Sequence, residues 1–362
     1  VCGLIAVALW MASMLRIRRA ISFSKSRSVT CLEFARFSGG RIGTAFVVAA
    51  ALSAVQILPA VIWSSESSRS NPPYTDFSDL WEPIRDGSRV DEIYQFSQPP
   101  WSLMELFWPN VSGKPYPHDQ RWASRLPGAD RIWTPSLYVG LPTILLGLSA
   151  MRLSGRSRRR IWLTKIAWFF GLASLGWYGA AWLFNEIALG LGFTGLPNVA
   201  EPVGGLYWLM LAALPKFFLF RYPAKLFVVA SLMICVLAGL QLSRTRRCSP
   251  VSPWLPAAVV LGLVVVLVWW SAALTDPGWL RQDPDWMFGP FDQRGVRNQW
   301  LTTLIHTAAV AGLLLFAMLF CHRRARESWQ SVFPATILLV AMADLAIANY
   351  WLVPQVDSAV LE

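Results

Sequence analysis

Apolar runs of about 20 residues recur along the chain, and they constrain its fold more than any other feature. The hydrocarbon core of a bilayer is about 30 Å thick, which a helix of roughly 20 residues can cross. Backbone groups in lipid must be bonded within the protein, so such runs predict helices. Eight runs are present, at residues 1–15, 43–63, 136–152, 161–184, 224–242, 254–274, 299–321 and 332–352. We therefore predict an all-α, polytopic transmembrane bundle of about eight spans, the first truncated, forming a single membrane-embedded domain over residues 1–362.

Composition agrees with a membrane protein. Only 15% of the residues are charged, 55% are hydrophobic, and the mean hydropathy is +0.43, whereas soluble domains carry about 25% charged residues. The apolar N-terminal run has neither an initiator methionine nor a basic segment before it, so it does not resemble a signal peptide. From this start we expect the chain to be a fragment of a larger protein.

Basic residues predict the orientation. The segments 16–41, 152–165, 243–248 and 322–331 together hold 19 of the 32 Lys and Arg residues and only two of the 21 acids, Glu33 and Glu327. Cytoplasmic loops are enriched in Lys and Arg, so we place these segments inside. The net charge of +11 is then explained by topology, and no nucleic-acid partner is predicted. The expected location is the cytoplasmic membrane, with multiple passes.

Two long connections then lie outside the cell: a large loop at residues 64–135 and a segment at residues 185–222. Within the second, the apolar stretch 206–220 is only 15 residues long and is interrupted by Pro215 and Lys216. A crossing there would move the basic segment 243–248 outside. We therefore predict an interfacial or re-entrant segment. Long outer loops on one side suggest that function lies on the outer face.

The large loop contains possible substrate contacts. Glu105 and Trp108 lie in an aromatic stretch, and His118 stands beside Asp119. A carboxylate next to a histidine could act as a general base or hold a metal, but ordinary ion pairs in a solvated loop explain the same residues. Trp and Tyr faces stack on sugar rings, or anchor at the membrane interface. The spacing matches no metal motif, so we predict neither a metal site nor a cofactor.

His306 and Asp344 are ionisable residues well inside predicted spans. An ionisable group within a membrane is a functional candidate by default. Asp344 could instead be neutral, hydrogen-bonded within the bundle and structural. Asn110-Val111-Ser112 in the outer loop matches the glycosylation pattern, which occurs often by chance.

Two cations lie in the run FFLFRYPAKLFVV, at residues 217–229. Pro223 is placed at the first turn of span 224–242, where its missing N–H costs nothing. Arg221 and Lys225 are one turn apart at this outer helix start, and Lys216 is close by. With free backbone N–H groups, these cations predict an anion site at the depth of a lipid phosphate. Alternatively, both side chains extend to the headgroups of ordinary phospholipid.

Several stretches resemble the YfhO family of bacterial membrane proteins. The most specific is LPKFFLFRYPAKLFVVASLMICVLAGLQL, residues 214–242; WSLMELFWPNVSG (101–113), LYVGLPTILLGLSAM (137–151) and ADLAIANYWLVP (343–354) are weaker matches. The resemblance covers residues 95–355.

This resemblance implies a GT-C type fold and a glycosyltransferase. Such an enzyme uses a polyprenyl-phosphate-linked sugar on the outer face to modify a cell-envelope glycan or polymer. The implied catalytic carboxylate lies in a first outer loop that precedes this chain, so its identity is unknown here. The partners would be membrane lipid, the sugar donor and the glycan acceptor. A non-catalytic protein that binds lipid or assists polymer export is the alternative.

Overall fold

The computed structural model describes residues 44, 47–48, 51, 54, 59, 62–63, 74, 76–116, 118–126, 136–155, 157–193, 199–244, 254–273, 289–323 and 329–352. The chain divides into two compact units, residues 1–71 and 72–362. The first has only a few described residues, all helical. The predicted span 1–15 and most of 43–63 lie outside the described residues, and the single domain stays a prediction.

Every regular element among the described residues is helical. The α-helices are α1 (Arg89–Tyr94), α2 (Leu141–Ala150), α3 (Arg158–Ala173), α4 (Ala180–Gly190), α5 (Leu206–Ala213), α6 (Phe227–Leu242), α7 (Trp254–Ala273), α8 (Gln293–Arg323) and α9 (Trp329–Ala348). Short 3₁₀ helices occur at Phe77–Leu80, Pro100–Leu106, Trp122–Arg125, Phe217–Leu219, Pro223–Leu226 and Tyr350–Leu352. The predicted all-α class is confirmed for this part of the chain.

Within the part of the chain that the structure describes, two helical stretches are long and apolar enough to cross a membrane, Pro223–Leu242 and Gln293–Met318. They correspond to the predicted spans 224–242 and 299–321. Large apolar side chains project outward from both, with Val228 70% exposed and Phe316 67% exposed. Such surfaces are costly in water and ordinary against lipid. The number of about eight spans stays a prediction.

The predicted span 161–184 is not one helix. α3 ends at Ala173 and α4 begins at Ala180, with a turn between them. In this turn Gly176 has φ +53°, and a Cβ on it would lie 2.4 Å from the Ser97 hydroxyl and 2.5 Å from Pro223. The Ser97 hydroxyl also accepts the Trp177 N–H at 2.8 Å. Tertiary contacts with Ser97 and Pro223 therefore fix the break.

The predicted span 136–152 is also shorter as a helix. α2 begins only at Leu141, after Gly140 with φ +91°, and residues 136–140 have no regular secondary structure. The stretch 206–220 forms the eight-residue α5, about 12 Å long, and a 3₁₀ turn. By itself this helix is too short to cross a bilayer.

The main hydrophobic core lies where α2 packs on α6, α8 and α9. α3 also packs on α6 and contacts α5. A second, aromatic core fills the space between α1, the α3–α4 turn and α5, and includes Tyr94, Trp177 and Tyr207. These two cores bring the start of α6 beside the segment 136–140, where the candidate site lies.

Candidate functional site

A cavity of about 250 Å³ lies between the segment 136–139 and the start of α6. Its lining consists of Ser136, Leu137, Tyr138, Val139, Ala224, Lys225, Phe227, Val228 and Ser231. One ammonium group and two serine hydroxyls contribute polarity, and the remaining wall is largely apolar. Val228 is 70% exposed on the outer surface of α6, so the cavity extends to the apolar surface of the bundle. Such a cavity suits an amphiphile with an anionic group.

Lys225 is the cation of this cavity. Its ammonium nitrogen lies 4.6 Å from the centre of the Tyr222 ring, a cation–π contact. The backbone turns sharply here, with Tyr222 at φ +72° just before Pro223. Among the described residues no carboxylate forms an ion pair with Lys225. Lys225 is exposed and can therefore supply its charge to an anion.

Arg221 has a different environment from the one expected. Its guanidinium group forms an ion pair with Glu92, with Nη1 and Oε2 2.7 Å apart. The next residue, Tyr222, donates its backbone N–H to the Ile93 carbonyl at 3.2 Å. Arg221 thus fastens the turn before α6 to α1. An anion that binds Arg221 must share it with Glu92.

The backbone donors at the start of α6 are not free. Ala224 donates its N–H to the Phe96 carbonyl at 2.9 Å, and Lys225 donates to the Tyr222 carbonyl at 3.0 Å. The prediction that the backbone N–H groups are free is therefore wrong for these two residues. Lys216 is exposed, has φ +60° and does not line the cavity. A candidate anion site in this cavity can therefore use Lys225, but not all three predicted cations and the helix start.

Behind the cavity wall lies a buried polar cluster around Asp344 on α9. The Tyr138 hydroxyl donates to its carboxylate, with oxygen distances of 2.7 and 2.9 Å. The Leu141 N–H, the first of α2, donates to Asp344 Oδ2 at 2.8 Å. His306 Nε2 on α8 lies 2.7 Å from Oδ1. Asp344 therefore caps α2 from a distant helix and joins three helices, which favours the structural interpretation.

Glu105 binds the backbone of the segment 136–139, which forms one wall of the cavity. It is 4% exposed, and Oε2 accepts the Leu137 N–H at 3.1 Å. Burial raises the pKa of the Glu105 carboxyl to about 7. Its side chain does not line the cavity. Glu105 therefore positions a wall of the cavity, while a direct substrate contact stays a prediction.

The three other predicted substrate contacts in the loop, Trp108, His118 and Asp119, differ in burial. Trp108 donates its indole N–H to the Val259 carbonyl at 3.1 Å. Asp119 is 1% exposed and accepts two bonds from the Arg121 guanidinium, at 2.9 and 3.1 Å. His118, beside it, is exposed. Among the described residues there is no cluster of three or more His, Cys, Asp or Glu that could hold a metal.

Asn110 is buried and structural. Its Nδ2 donates to the Ala348 carbonyl at the end of α9 at 2.9 Å, and its Oδ1 accepts the Trp351 indole N–H at 2.7 Å. The backbone φ of +56° is one that asparagine tolerates better than most residues. A glycan cannot be attached to a side chain in this position without displacing α9. The loop around Asn110 is thus packed against the end of α9.

Sequence reasoning missed Ser136, Tyr138 and Ser231 as lining residues. Nothing in the local sequence marks Ser136 or Tyr138, since the cavity forms only when segment 136–139 meets α6. A serine within the apolar α6 run was the one available indication, and its hydroxyl donates to the Phe227 carbonyl at 2.9 Å.

Comparison of the chain with models of protein families, with curated proteins and with solved structures gave no match. The YfhO resemblance and the GT-C fold therefore stay predictions.

Proposed function

We propose that this chain is a multi-pass membrane component of a glycosyltransferase that uses a polyprenyl-phosphate-linked sugar. The sugar would be transferred to a cell-envelope glycan on the outer face of the inner membrane. One observation carries the proposal: a single cavity joins the cation of Lys225 to the lipid-type surface at Val228. A polyprenyl phosphate has the same arrangement, an anionic group at the end of a long apolar chain.

Each part of the donor has a matching feature. The phosphate would accept a charge-assisted hydrogen bond from Lys225, which stabilises it as the sugar leaves. The polyprenyl chain would follow the outward surface of α6 past Val228. The hydroxyl of Ser136 accepts the Tyr138 N–H at 3.2 Å and keeps its own proton to donate. The acceptor would approach from the outer loop, which is folded over this end of the bundle.

The membrane arrangement supports this placement. The cavity lies at the start of α2 and α6, whereas the basic segments 152–165 and 243–248 follow the ends of these helices. If the basic ends are cytoplasmic, the cavity is at the outer headgroup level. Lipid-linked sugars on that face would then reach it sideways from the bilayer.

A second candidate function is lipid binding without catalysis. None of the nine residues that line the cavity is a carboxylate, yet glycosyl transfer to a hydroxyl needs a general base. Buried Glu105 contacts the wall but does not line the space. If no base comes from another part of the protein, the chain binds lipid-linked phosphate and assists its export or presentation.

The test of the proposal is Lys225→Ala in the purified protein in lipid nanodiscs, assayed for sugar transfer from a polyprenyl-phosphate donor. Loss of one charge-assisted bond, about 1.5–3 kcal/mol, should raise the donor concentration at half-maximal rate roughly tenfold to hundredfold. The matched control is Lys216→Ala, because Lys216 is an exposed cation near the same turn that does not line the cavity.

The outcome separates the alternatives. Unchanged donor dependence in Lys225→Ala would contradict the proposed site. Donor binding that depends on Lys225 without any transfer would favour the non-catalytic function. Glu92→Ala releases Arg221 from its ion pair and tests that residue separately. A donor phosphate that competes with Glu92 should bind this variant at least as tightly as wild type.

A further inference from the structure

The opposite ends of α2 and α6 meet at a cluster of arginines that the proposed function does not use. Arg160 lies in the first turn of α3, and Arg152 and Arg244 follow the ends of α2 and α6. α6 has 16 residues and is about 24 Å long, so the cluster is one helix length from the cavity.

Arg160 is an unusual residue of this cluster because it is buried, with only 5% of its surface exposed. Its Nη2 donates to the Gln241 side-chain oxygen at 3.0 Å, which is a neutral partner. Its Nε is buried and has no hydrogen-bond partner among the described residues. A buried guanidinium group is rarely left without a negative partner. Among the described residues, no negative group therefore balances the buried charge of Arg160.

Two nearby positive charges make the burial of Arg160 more unfavourable. Burial, followed by repulsion from Arg244 and Arg152, lowers the pKa of Arg160. The segments 151–165 and 239–250 contain no acidic residue at all. Among the described residues, no ion pair involves any of these three arginines. An anion from outside the chain is the simplest group that removes the repulsion.

The first turn of α3 adds donors to the same place. Ser157 precedes this helix, and its side chain makes no capping hydrogen bond. The first N–H groups of a helix have no partner within it and carry its positive dipole end. Trp162, two residues after Arg160, is 64% exposed. The ammonium nitrogen of Lys165 lies 5.6 Å from the centre of the Trp162 ring. Exposed tryptophan marks the headgroup level of a membrane.

We propose that Arg160, with Arg152 and Arg244, binds the phosphate of an anionic phospholipid at the membrane surface opposite the cavity. The phosphate accepts from the Arg160 guanidinium group and from the start of α3. The second negative or polar part of the headgroup lies against the exposed arginines. The acyl chains continue along the outward side of α3, beside Trp162.

The test titrates the purified, detergent-solubilised protein with short-chain phosphatidylglycerol, phosphatidylcholine or inorganic phosphate, and measures bound ligand by native mass spectrometry. Phosphatidylglycerol should bind about tenfold more tightly than phosphatidylcholine. Arg160→Gln should weaken phosphatidylglycerol binding by about tenfold, the effect of one charge-assisted bond. Arg158→Gln is the matched control, because residues two apart on a helix do not face each other.

A second variant keeps the test valid if Arg160→Gln does not fold. The double variant Arg152→Gln, Arg244→Gln changes two exposed side chains and should also weaken phosphatidylglycerol binding. Unchanged binding in this variant and in Arg160→Gln would overturn the proposal. If inorganic phosphate binds as tightly as the lipid, the site takes the free ion and the lipid assignment is wrong.

Discussion

Replacing Asp344 by alanine is expected to destabilise the folded chain by about 3–5 kcal/mol, the usual cost of removing one partner from a buried charged cluster. The substitution removes the acceptor of the Tyr138 hydroxyl and of the Leu141 N–H, and the partner of His306. Asp344, Tyr138 and Leu141 are buried, so water cannot replace the carboxylate without opening the bundle. The measurement is the free energy of unfolding in mixed micelles, followed by tryptophan fluorescence.

Asp292 offers the matched control. Its Oδ1 accepts the Gly295 N–H at 2.8 Å at the start of α8, so it is also an aspartate that caps a helix. It is only part-buried and makes a local contact, so Asp292→Ala should cost about 1 kcal/mol. Equal losses in the two variants would show that the cluster around Asp344 adds nothing beyond an ordinary cap. Asp344→Asn should lie between them, because an amide keeps only one acceptor oxygen.

Glu105 should make stability depend on pH. Its pKa in the folded protein is raised from 4.5 to about 7, so the folded state binds the proton more tightly than the unfolded state does. The stability contributed by the protonated form is fully present below pH 4.5 and is lost as the pH rises through about 7. At 1.36 kcal/mol per pKa unit, the expected loss is about 3 kcal/mol.

Glu105→Gln keeps a carbonyl oxygen for the Leu137 N–H and cannot ionise. Its unfolding free energy should therefore lack this fall and exceed that of wild type above pH 7. Glu82→Gln, at an exposed position of the same loop, is the control and should follow the wild-type curve. Parallel pH curves for wild type and Glu105→Gln would contradict the assignment.

Glu105 and Asp344 together position one wall of the cavity. Glu105 binds the backbone of Leu137, and Asp344 binds Tyr138 and the first N–H of α2. The segment between them has no regular secondary structure, and buried backbone groups outside helices require such protein partners. The wall opposite α6 is thus fixed by buried acids rather than by a helix.

Sequence patterns predicted the helices that depend on local properties. α6 and α8 were found because length and apolar composition alone define them. The break at Gly176 was missed because its cause is contact with Ser97 and Pro223, which are distant in the chain. The start of α2 was likewise misplaced, since its first N–H is bonded by a residue 203 positions later.

The candidate site was predictable to the same degree. Pro223 correctly indicated a helix start with Lys225 beside it. The ion pair of Arg221 with Glu92 joins two segments that no local pattern connects. The sequence also left Asp344 open between functional and structural roles. Its four contacts, which come from α2, the residue Tyr138 before it and α8, favour the structural role.

The central claim is that a lipid-linked phosphate occupies the cavity beside Lys225, and photo-crosslinking tests it most directly. A polyprenyl phosphate with a photoreactive group near the phosphate is irradiated with the protein in nanodiscs, and the labelled residues are identified by mass spectrometry. The account predicts labels in 136–139 and 224–231, which decrease strongly in Lys225→Ala and persist in Lys216→Ala. Labels confined to other segments, or equal labelling in both variants, would contradict it.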